Sequence, residues 1–222
     1  MKSFKVCRVF GIDIHLDWTL IILVYILAAQ MQSTLLFNHP FANTAVGYVI
    51  GALFGVLFIF SVLAHEVGHA LVGQRFGIPI HNITLFVLGG MAKMDKQPET
   101  PKAEFWMAFA GPLASILFGI LCFGSVFILP RGLLAISMFY MAVLNGMLGV
   151  FNLLPIFPLD GGRLLRAGVW KFSNFLTATR VAAFLGKLGG IGFVLIGLAM
   201  SFGYNIPVFG TGFGGGLWTG II

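Results

Sequence analysis

The chain is poor in charge. Of 222 residues only 9% are Asp, Glu, Lys or Arg, against about 25% in a soluble domain. Acidic residues are scarcest, seven in all. Cysteine is nearly absent: Cys7 and Cys122 stand alone, without CxxC spacing. That excludes a disulfide framework and a thiolate metal site. The basic start (Lys2, Lys5, Arg8) leads into a long span without a small-residue cleavage site, so no cleavable signal is expected. What fills the sequence instead is apolar: 59% hydrophobic residues, 24 phenylalanines and a mean hydropathy of +1.00. Such a composition excludes a soluble globular fold and predicts a polytopic membrane protein. The net charge of +6 then reads as basic loops at an anionic cytoplasmic membrane face, with no nucleic-acid partner implied.

The apolar runs predict about six spanning helices. They lie near 18–37, 45–72, 104–129, 133–154, 181–200 and, in a glycine-rich tail, 206–222. The second run, with its flanks, is roughly 30 residues or about 45 Å as a helix, which exceeds a bilayer core of about 30 Å. That helix is tilted, broken or continued past the membrane. Residues 11–17 alternate and suggest a short strand on the membrane surface, followed by an interfacial Trp18. Residues 78–94 combine Pro79, β-branched residues and Gly89-Gly90, and read as short strands with a turn. The Pro/Gly-rich stretch 152–163 reads as a break. The expected fold is thus an all-α polytopic membrane protein with a small membrane-associated β-strand region. With the N-terminus in the cytoplasm, all the lysines and arginines except Arg131 fall on one side. This distribution predicts a multi-pass cell-membrane protein, plasma or inner, with a cytoplasmic N-terminus.

Ionisable groups inside such spans are costly and need a reason. Asp13, Asp17, Asp95, Glu99 and Glu104 can lie in loops or at an interface; Glu66 and Asp160 cannot easily escape. His65-Glu66-Val67-Gly68-His69 follows a run with no charged residue from Phe41 to Ala64. Histidines four apart share one helix face and can hold Zn²⁺, with the intervening glutamate as general base. A zinc site built on two histidines needs a third protein ligand. Asp160, at the helix break and on the same side of the membrane, leads the candidates; it is otherwise a helix N-cap or a partner of Arg163. Asn152 is either an interhelical hydrogen-bonder or a contact to ligand or substrate. His15, His39 and His81 read as interfacial or loop residues, and Gly111-Pro112 as a kink or close helix contact. A metal transporter or channel is the competing reading, since buried His, Glu and Asp also line transport paths. A transporter would show a row of ligands or repeated halves, and the sequence shows neither. A catalytically dead membrane scaffold is a third reading, without support because Glu66 is present.

Together, His65-Glu66-Val67-Gly68-His69, Gly89-Gly90, Ala110-Gly111-Pro112 and Asn152-x-x-Pro155-x-x-Pro158-Leu159-Asp160-Gly161 resemble the site-2 protease family of intramembrane zinc metalloproteases. The resemblance runs in order from about residue 11 to residue 200. It implies a single transmembrane metalloprotease core over 1–222 that hydrolyses peptide bonds within or beside transmembrane segments of other proteins. It implies one Zn²⁺ held by His65, His69 and Asp160, with Glu66 as general base and Asn152 toward the substrate or oxyanion. Ser115 stands near where the family often carries an asparagine, and no role is assigned to it. The short linker 95–102 leaves no room for the PDZ domain of some relatives. A C-terminal pair of cystathionine-β-synthase-like modules, carried by many prokaryotic relatives, is expected to be absent or removed, and a nucleotide partner follows only if it exists. The expected partners are the lipid bilayer and a transmembrane protein substrate. An unwound substrate can add as a strand to residues 78–94; the edge is expected at Thr84, Phe86, Gly89 and Gly90. The glycine-rich sixth segment is the expected mobile part of a substrate gate.

Overall fold

The apolar runs fold into long helices that share one end with a small sheet. A computed structural model describes residues 3–38, 43–87, 89–94 and 96–202. Strands β1 (Ser3–Val9) and β2 (Ile12–Asp17) precede helices α1 (Leu20–Asn38) and α2 (Thr44–Arg75). Strands β3 (Ile80–Phe86) and β4 (Gly89–Met94) follow, then α3 (Pro101–Val126), α4 (Leu133–Asn152), α5 (Asp160–Phe172) and α6 (Phe175–Ser201). Among the described residues α1, α2, α3, α4 and α6 are long and apolar enough to cross a membrane. That is five spans where about six are expected; the sixth, at 206–222, lies outside the described residues.

Helix boundaries follow local chemistry. The side chain of Asn43 accepts the Ala45 N–H at 2.8 Å and caps α2. Thr100 caps α3 ahead of Pro101, and Asn174 caps α6. Helix α2 is a single unbroken element of 32 residues, about 48 Å long. It runs past a bilayer core and stops at Gly77, whose φ of +73° suits glycine.

The sheet has the order β1-β2-β3-β4, with β2 and β3 parallel and the outer pairs antiparallel. Phe10 and Gly11 close the first hairpin, both at positive φ, as a two-residue turn requires. Helices α1 and α2 form the crossover from β2 to β3. A register shift between Ile80 and Asn82 puts Ile80, Ile83 and Leu85 on one face. That face, with Ile12 and Ile14, packs against Ala70 of α2 and Met107 of α3. At the start of α1, Asp17 accepts the Thr19 N–H and hydroxyl, and Thr19 Oγ1 accepts the Val87 N–H at 3.2 Å. A second core joins α1 to α4 through Leu27, Leu35, Phe54, Cys122 and Met141. Both cysteines are free. Helix α6 leaves Phe184, Leu188, Ile191 and Val194 exposed.

Four expectations need correction. Residues 3–17 form two strands rather than one short one. The 152–163 break ends in α5, a 13-residue helix with Asp160 as its first residue. Glu104 and Asp17 are buried rather than at an interface. Finally, β3 is an interior strand: Thr84 is paired with His15 on one side and Met91 on the other. Phe86 ends that same inner strand opposite Gly89. Neither offers a free edge; the edge strands are β1 and β4, and Gly89 and Gly90 lie on β4.

Candidate metal centre

The site starts from helical periodicity. His65 and His69 lie one turn apart on α2, and their rings meet edge to face with centroids 4.8 Å apart. Their Nε2 atoms are 3.1 Å apart. Oδ2 of Asp160 lies 3.2 Å from Nε2 of His65 and 3.1 Å from Nε2 of His69. All three residues are buried, at 5%, 6% and 9% exposure.

The far side of each ring fixes what faces inward. Nδ1 of His69 is 2.7 Å from the Met107 carbonyl. A carbonyl only accepts, so a proton sits on Nδ1, and in the neutral ring Nε2 carries the lone pair. Nδ1 of His65 is 2.9 Å from Oγ of Ser115, a partner that can hold this ring the same way round. With both rings neutral and so held, two imidazole nitrogens and a carboxylate oxygen converge with no hydrogen of their own to share. A cation resolves that arrangement. Tetrahedral bonds of about 2.0–2.1 Å place donors about 3.3 Å apart, close to the triangle observed. The donor set of two nitrogens and one oxygen fits zinc, with a position left for water. Among the described residues this is the one group of His, Cys, Asp and Glu side chains close enough to hold an ion.

Three glycines make the convergence possible. A Cβ at Gly111 of α3 would overlap Nε2 of His69 and lie 2.7 Å from Nε2 of His65. A Cβ at Gly68 would lie 2.9 Å from the Ala110 carbonyl oxygen, so α2 and α3 touch backbone to backbone beside the donors. Pro112 has no N–H for the Ala108 carbonyl, and its ring crowds the turn that presents Met107. A Cβ at Gly161 would overlap the Leu153 and Leu154 carbonyls, so only glycine lets the chain fold back and present Asp160.

Glu66 follows His65 on α2 and lies under β4. A Cβ at Gly90 would overlap its side chain, standing 2.6 Å from Cδ. The carboxylate therefore packs against β4. Asn152, the last residue of α4, donates from Nδ2 to the Leu148 carbonyl at 2.9 Å in its own helix. The structure thus brings His65, His69 and Asp160 together, seats Glu66 against Gly90, and leaves Asn152 bonded to its own helix. Sequence reasoning assigned nothing to Ser115 and Met107, which orient the histidines. A serine one turn past Gly111-Pro112 was visible, whereas a backbone carbonyl leaves no sequence signal.

Residues 53–137 and 131–197 match the model of peptidase family M50. Zinc metalloprotease MJ0392 of Methanocaldococcus jannaschii is 35% identical over 209 residues, 88% of this chain and 54% of that protein. Stage IV sporulation protein FB of Bacillus subtilis is 34% identical over 133 residues, 57% of this chain and 45% of that protein. The solved site-2 protease from Methanocaldococcus jannaschii superposes with a TM-score of 0.57 at 33% identity, covering 90% of this chain and 85% of that one. The chain spans about half the length of the relatives it matches. The five apolar helices among its described residues make it a multi-pass membrane protein. Motif, fold and family model agree: the chain belongs to peptidase family M50.

Proposed function

We propose that this chain is the membrane core of an intramembrane zinc metalloprotease. It cleaves peptide bonds within or beside transmembrane segments of other membrane proteins. The observation that carries this reading is the meeting of His65 Nε2, His69 Nε2 and Asp160 Oδ2 within 3.2 Å of one another, with both histidines and Glu66 on the apolar helix α2. Those three side chains would hold one zinc ion, which when bound acidifies water and polarises a scissile carbonyl. Glu66 takes the proton of the attacking water and delivers it to the leaving amine. Burial of the donors keeps competing water out and strengthens each charge interaction. Asn152 contacts the substrate or the developing oxyanion with the amide N–H that Leu148 leaves free.

A helical substrate hides its carbonyls in i→i−4 bonds and must unwind first. We assign the unwound segment to the free edge of β4, where main-chain bonds hold it without regard to sequence. Gly90 on that strand touches Glu66, so a strand added there passes the base.

The basic residues orient the chain. The sheet, α5 and the starts of α3 and α6 share one side, with the described Lys and Arg residues except Arg131 at the other end and Lys187 farther along α6. That side is cytoplasmic by charge bias, which puts the N-terminus in the cytoplasm and the site in the cytoplasmic half. A transporter reading gains nothing, because the described residues hold no second ligand group. Cleavage of a membrane-protein substrate by the purified chain tests the proposal. Activity should vanish with a chelator and return with zinc; activity that survives complete zinc removal contradicts it.

A further inference from the structure

One buried charge cluster takes no part in this chemistry. Glu104 lies in the first turn of α3 with 0% of its surface exposed. A carboxylate removed from water needs a partner, and Arg166 of α5 supplies it. Nε of Arg166 donates to Oε1 of Glu104 at 2.7 Å, and Nη2 donates to the same oxygen. The guanidinium also lies 5.5 Å from the ring centroid of Phe157 and 5.0 Å from that of Phe175. Oε2 of Glu104 has no hydrogen-bond partner among the described residues. As a source of stability the pair is poor, since apolar side chains of similar volume would fill the space without desolvating two charges.

Its attachments point to another use. Phe157 lies just before Asp160, and Arg166 lies less than two turns after it on the same helix. Glu104 sits one turn before Met107, whose carbonyl holds His69. Helix α5 packs along α3 and α6, and only slightly on α2. The distance from Asp160 to the two histidines is therefore set through α3. We infer that Arg166 and Glu104 are a positioning pair for the metal centre: their directional bond holds Asp160 where it can share one ion with His65 and His69. This rests on the metal-binding role proposed above.

The test is zinc affinity of the purified chain, measured by competition with a chromophoric chelator. The cobalt(II) absorption spectrum, as a readout of coordination geometry, and thermal unfolding accompany it. Replacing both partners at once, Glu104→Leu with Arg166→Met, leaves no orphaned charge. This variant should unfold at or above the wild-type temperature. Its zinc affinity should fall about 10- to 100-fold, the range for loss of a group that orients a metal ligand, and its cobalt bands should weaken. Arg166→Lys keeps a charge but loses the fork and the aromatic stacking, and should fall between. Wild-type zinc affinity and cobalt spectrum in the double variant overturn the inference and leave the metal reading intact. Absence of zinc binding in the wild type overturns the metal reading and the inference with it. Should the double variant fail to fold, Arg166→Lys decides: weaker zinc binding supports the inference and unchanged binding overturns it.

Discussion

Gly111→Ala adds one methyl group and replaces no ligand, yet should disable the site. The added Cβ would overlap Nε2 of His69 and lie 2.7 Å from Nε2 of His65. Non-bonded carbon contacts settle near 3.5 Å, so the rings or α3 must move by about an ångström. Overpacking of this kind costs about 1–3 kcal/mol. Alanine's preference over glycine in a helix offsets about 0.5–1 kcal/mol of that. The net loss of stability is about 0–2.5 kcal/mol, a shift of a few degrees in unfolding temperature. Metal ligation tolerates far less, since ligand distances hold to about 0.2 Å. Zinc affinity should drop by about 10- to 100-fold while the protein stays folded. Gly124→Ala in the same helix is the control, because a Cβ there meets nothing within 4 Å. Chelator competition and thermal unfolding on both variants check this. Gly111→Ala protein that binds zinc as tightly as wild type would refute the packing argument.

Gly90→Ala should push Glu66 aside, because the new Cβ would lie 2.6 Å from Cδ of Glu66. Cleavage should fall about 100-fold, the cost of a misplacement near 1 Å, while zinc affinity stays at the wild-type level. Ser115→Ala removes the partner of His65 Nδ1 and should weaken zinc binding about 10-fold or more, read by the same chelator competition. Proline placed singly at 91, 92 and 93 of β4 tests strand addition. Variants that fold should lose cleavage of a helical substrate wherever the lost N–H faced outward. Full activity in every folded variant rejects that route.

Much of the site was legible because polar residues stand out against an apolar background. His65, Glu66 and His69 beside a charge-free run needed only periodicity, whereas Asp160, at a Pro/Gly break on the same side, led the candidates and was assigned as a ligand through the family resemblance. Helix α5 was hidden because Pro155, Pro158, Gly161 and Gly162 all signal interruption. Those glycines are there for close backbone approach to the preceding loop, and the helix begins among them. The free edge was misplaced because β3 pairs with β2 across two whole helices, and no local pattern records a parallel partner that distant. Glu104 read as interfacial for a similar reason: Arg166 is 62 positions away. Residues 3–9 alternate only briefly, with Phe4 and Val6 on either side of Lys5, and nearly all of that strand is exposed, so no buried face marks it.

The central claim is that one carboxylate beside a buried metal site does the proton transfer. Glu66→Gln, purified alongside wild type, tests it through zinc content and cleavage measured on the same preparations. Zinc occupancy should be full and cleavage abolished. Cleavage at the wild-type rate by the zinc-loaded Glu66→Gln protein would contradict it.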